Sequence, residues 1–261
     1  MGHERTGALP RTKRWRGLLA QITASSQVAG DAFPIEAIAR RTLENVAVQY
    51  SKLCDDSGVQ AGFTFLLALT RPESHQEASA GSECLVDVST NPSLVALVAS
   101  LAAFVKSRGE SPEYGAIATR AAADTVVAWV KRHPQETLFG PISATEIWAR
   151  AGTASGFSEL ARLFLARFTD RYLRYLLDRE LSASLPDVAT RERFNRTLSE
   201  HVEGLSRHAF ETAQIAQSFA AGWYGKHATR SMPSSREIRS FLSIAFGKLS
   251  EELKREREAD G

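Results

Sequence analysis

Residues 157–181 read FSELARLFLARFTDRYLRYLLDREL. Leu160, Leu163, Phe164, Phe168, Tyr172 and Leu176 recur at helical spacing and fall on one stripe. A helix with such a stripe must bury it against other elements. Arg167, Arg171 and Arg174 share a different face. Arg174 sits four residues after Asp170 and four before Asp178, so i,i+4 ion pairs account for that face.

Outward from this segment the pattern stays helical. Downstream, Pro186 separates it from a long periodic stretch over 188–224. There Leu198, Val202, Leu205, Ala209, Thr212, Ala216, Phe219 and Trp223 alternate spacings of four and three, a heptad seam for helix pairing. Its middle residues are small, so another backbone can approach closely. Gly204 costs roughly 1 kcal/mol relative to alanine, which weighs against an unbroken helix. Ser234-Ser235-Arg236-Glu237 is a capping box behind Pro233. Ile238, Phe241, Leu242, Ala245, Phe246, Leu249 and Leu253 then form a continuous helical face, followed by the charged segment EELKREREADG.

Upstream, Ser143-Ala-Thr-Glu146 is a second capping box, opening a short helix with Trp148. Gly and Ser residues at 152–156 then break the pattern. Asn91-Pro92 and Ser111-Pro112 each read as an N-cap with proline at the first helical position. Residues 59–69 are apolar on most sides and end before Pro72. A further helix opens near Pro34 and carries Ile38, Leu43, Val46, Tyr50 and Leu53. Residues 13–24 (KRWRGLLAQITA) read as a short basic helix. The clearest irregular stretch is 71–91 (RPESHQEASAGSECLVDVSTN), in which Cys84–Val88 reads as one short strand or an extended segment. One strand makes no sheet.

The expected fold is therefore all-α: an irregular multi-helix bundle of about seven to nine helices, with a long heptad-like helix near the C-terminus. The expected organisation is a basic, disordered tail over 1–12, an N-terminal helical part over 13–70, an irregular linker over 71–91, the main helical bundle over 92–250 and a charged tail over 251–261. No repeat of 20–50 residues points to a solenoid.

Bulk composition agrees with a globular protein. The chain has 261 residues, 43% hydrophobic and 24% charged, with a net charge of +2. Disordered chains, collagens and coiled-coil rods are excluded. Arginine outnumbers lysine 25 to 7, as expected of a GC-rich bacterial coding sequence. The apolar run Leu94–Val105 is too short for a bilayer, which needs about 20 residues, and reads as a buried core helix. Two cysteines, Cys54 and Cys84, without paired spacing, and no signal-peptide h-region, point to reduced thiols and a cytoplasmic location.

The chemistry-bearing motifs are sparse. There is no phosphate-binding Gly-rich loop and no GxSxG elbow. Gly152–Gly156 precedes a helix and reads as an interhelical linker before an anion site. His201 and His208 lie two turns apart, where one metal would prefer a single turn. Cys54 ends an apolar helix, and Asp55 and Asp56 look like turn acids. No catalytic residue, cofactor site or metal ligand is assigned. Residues 1–30 carry five basic side chains and one acid. Within them, Lys13, Arg14, Trp15 and Arg16 combine cations with an aromatic, as nucleic-acid contacts do. Lys226 and Arg230 follow Trp223 in a similar interleaving. The leading expectation is a non-catalytic subunit of a bacterial multi-component complex, partnered by another protein subunit or by itself. The alternative is a nucleic-acid-binding helical protein using the basic N-terminal arm. An enzyme with a dispersed active site comes third, and membrane-surface binding through 13–24 is disfavoured because the apolar face is short.

Overall fold

The structure is a computed structural model. It describes residues 16–17, 20, 50–71, 93–108, 112–133, 136–137, 140–141, 143–184, 187–211 and 214–259. Among them are a helical turn at Tyr50–Leu53 and eight longer helices: α1 (Ser57–Leu69), α2 (Leu94–Arg108), α3 (Pro112–Arg132), α4 (Ala144–Ala151), α5 (Ala154–Ser184), α6 (Val188–Glu211), α7 (Gln214–His227) and α8 (Ser235–Ala259). Extended pairing among the described residues is confined to β1 (Glu136–Thr137) against β2 (Gly140–Pro141). The two strands are antiparallel, with Glu136 opposite Pro141 and Thr137 opposite Gly140. Two residues per strand make no sheet, so the fold is an all-α bundle. The readings of 1–12, Cys84–Val88 and all of the 71–91 linker except Arg71 lie outside the described residues.

The centre of the bundle is α1. It is apolar on most sides, and a helix of that kind belongs in the interior. Ten of its thirteen residues are buried. Asp56 caps its start by accepting from the Val59 amide at 3.0 Å. Around it pack α2, α3, α5 and α8. The Phe63 ring lies 5.1 Å from Phe241, 5.6 Å from Phe164 and 6.2 Å from Phe157 between centroids. One hydrophobic cluster runs from Leu53 to Leu249. Residues before 71 and residues after 92 therefore share a core.

Small residues set how closely α1 meets α3. A Cβ placed on Gly58 would stand 2.5 Å from the Gly115 Cα, and one on Gly62 would stand 3.2 Å from the Ala118 Cβ. Neither helix could approach so closely with larger residues at these positions.

The longest described helix is α5, with 31 residues. Its predicted stripe, Leu160, Leu163, Phe164, Phe168, Tyr172 and Leu176, is buried throughout. It begins three residues earlier than the stripe suggests. Thr153 Oγ1 accepts the Gly156 amide at 3.0 Å, and the Thr153 carbonyl accepts the Phe157 amide at 2.8 Å. Its sides meet α3, α4, α6 and α7. Both capping boxes form. Glu146 N–H donates to Ser143 Oγ at 3.2 Å while Ser143 N–H donates to the Glu146 carboxylate at 2.9 Å. At α8, the Ser234 amide donates to Glu237 at 2.8 Å. The apolar face of α8, from Ile238 to Leu249, is buried, and α8 continues into the charged C-terminal segment as far as Ala259.

Two expectations change, and one long helix over 188–224 is not shown. The heptad-like stretch 188–224 is described as two helices, α6 and α7, with 212–213 outside the described residues. Phe219, Trp223 and Tyr224 dock α7 on the aromatic core. The start of α2 is capped by Ser93 rather than Asn91: the Ala96 amide donates to Ser93 Oγ at 3.2 Å. The second change concerns the cover of α2. Leu97, Leu101, Phe104 and Val105 are buried, as a core helix requires. The opposite side is open to solvent, with Val95 80% exposed and Ala96, Ala99, Ala102 and Ala103 also exposed. Among the described residues, the helix packs on α1 and α3.

Candidate functional site

The arginine face of α5 is engaged within the chain. Arg171 Nε donates to Asp124 Oδ2 of α3 at 2.6 Å. Arg174 Nε grips both oxygens of Asp170, at 3.1 and 3.0 Å, and its Nη2 donates to the Asn195 carbonyl of α6 at 3.1 Å. Ser199 of α6 donates to Asp170 Oδ1 at 2.8 Å and also meets the Arg174 guanidinium. A second group centres on Glu203 of α6. Its carboxylate receives Arg132 at 3.2 Å, Arg167 at 3.4 Å and the buried Arg162 at 4.0 Å, while Arg132 also holds Glu159 at 2.8 Å. Together these pairs fix how α6 sits on α5 and α3. Arg167, Arg171 and Arg174 thus meet carboxylates of their own chain, and the i,i+4 pair Asp170–Arg174 is present.

At one end of the bundle three helix termini converge. The Tyr224 hydroxyl of α7 donates to Thr70 Oγ1 at 3.1 Å, just past α1. Gly152, which caps α4, lies so near that a Cβ would stand 2.5 Å from the Thr70 carbonyl oxygen. The 152–156 turn is a tight packing joint. At the start of α5, Thr153 takes up the Gly156 amide that an anion would use.

The sequence-selected residues separate. Lys13, Arg14 and Trp15 lie outside the described residues. Arg16 is helical and exposed. Lys226, in the last turn of α7, and Arg230, just past it, are both exposed. Trp223 is turned away from them: its ring lies 4.7 Å from Phe241 and 5.8 Å from Phe157 in the core. Within the seam, Val202 and Trp223 are buried and Phe219 stacks on Phe241 at 5.5 Å. These three face this chain's own interior. Thr212 and the side chains of Leu198, Leu205, Ala209 and Ala216 lie outside what is described.

Two local environments give measurable chemistry. Ser234, through its hydroxyl and its amide, and then His227 at 2.7 Å hold the Glu237 carboxyl down at about 2, from an ordinary 4.5. A depressed carboxylate stabilises the fold above its unfolded value and loses that contribution as pH falls through its folded value. The stability difference between wild type and Glu237→Gln should stay level down to about pH 4.5 and vanish toward pH 2. A constant difference across that window, read by chemical denaturation at each pH, would contradict the cap's charge. Cys54 is 2% exposed. Burial first, then the Asp55 charge, pushes its thiol up to about 11. The thiolate is the nucleophile, so Cys54 should be inert near neutral pH. In a Cys84→Ser variant, iodoacetamide should label Cys54 only after unfolding; labelling of the native protein at a free-thiol rate would contradict this.

The feature that sequence reading passed over is the open side of α2. Its signal was present: no charge occurs from Leu94 to Val105. Surface helices ordinarily place charged residues on the side opposite the core. Here three turns of exposed surface carry Val95 and alanines, and only then Lys106. Among the described residues no group of three or more His, Cys, Asp and Glu is placed to hold a metal ion. No helix there is long and apolar enough to cross a membrane. Compared with models of protein families, with curated proteins and with solved structures, the chain matches none.

Proposed function

We propose that this protein is a non-catalytic helical subunit that holds another protein within a bacterial multi-component assembly. The open apolar side of α2 carries this reading. A helix without charge for three turns is built for contact, and the described bundle buries Leu97, Leu101, Phe104 and Val105 on one side of it. Val95, at 80% exposure, is the largest exposure among the big hydrophobic residues described. Small side chains beside it let a partner helix come close. The ion pairs that tie α6 to α5 and α3 support a scaffold role, because they fix those helices to one another.

A nucleic-acid reading draws on the exposed cations Arg16, Lys226 and Arg230. It is the weaker one. Lys226 lies at a helix C-terminus, where positive charge complements the helix's own carbonyls, and the neighbouring aromatics are buried. Purification from the native host, with nuclease treatment and a salt series, separates the two. The subunit reading expects a nuclease-resistant particle well above 28.6 kDa. A monomer that carries nucleic acid and sheds it steeply with salt would replace it with the alternative.

A further inference from the structure

We draw no further inference here: the strongest candidate, the exposed apolar side of α2 from Val95 to Ala103, belongs to the surface already described, and nothing in the structure shows what covers it.

Discussion

Phe63→Ala is expected to be the most damaging single truncation, costing about 3–5 kcal/mol of stability. The ring is 1% exposed and sits where α1, α5 and α8 meet. It touches three other aromatic rings, with Phe241 stacked at an interplanar angle of 16°. Aromatic pairs add to the area they bury, and helices held on four sides cannot collapse into the space left behind. At about 2–4 °C per kcal/mol for a chain near this size, the melting temperature should fall by roughly 6–20 °C. Thermal unfolding followed by circular dichroism checks this. A loss of a degree or less would mean that α1 is not the centre of the bundle.

Gly58→Ala and Gly115→Ala form a second, asymmetric test. The two glycines face each other across the α1–α3 contact. A methyl on Gly58 meets the Gly115 backbone at 2.5 Å, which no side-chain motion relieves. A methyl on Gly115 finds the Val105 side chain at 3.7 Å and the Gly58 Cα at 3.8 Å, ordinary contact. Overpacking of this kind costs about 1–3 kcal/mol, so Gly58→Ala should be clearly destabilised. Gly115→Ala should be neutral, or gain up to about 1 kcal/mol from helix propensity. Equal effects at both sites, by denaturant titration, would contradict the crossing described.

What was legible in the sequence was local. The stripe of α5 and the face of α8 each depend on residues three and four apart. The boxes at Ser143–Glu146 and Ser234–Glu237 close within one turn. What was not legible depends on residues far apart in the chain. Nothing near Gly58 announces Gly115, and Gly152 looked like a break because Thr70, its reason for being small, lies 82 positions away. Glu203 gathers arginines from α3 and α5, a choice that only packing makes among 32 basic and 30 acidic residues. Trp223 continued the heptad stripe, so packing at a helix end was its expected place, and its ring does join the core cluster around Phe241; that Phe241 would be its neighbour was not legible. The apolar run in α2 identified a helix needing cover but not which side receives it within the chain.

The open side of α2 is also where the proposed function stands or falls. Val95 and Ala99 are exposed, so glutamate at both positions should leave the fold intact. The decisive measurement is the native mass of wild type and of the Val95→Glu/Ala99→Glu double variant, purified in parallel from the native host after nuclease treatment, with circular dichroism melts as a folding control. The expected result is a large wild-type particle and a variant that melts like wild type but runs at the 28.6 kDa of the single chain. A wild-type monomer, or a folded variant that keeps the full particle, would contradict it.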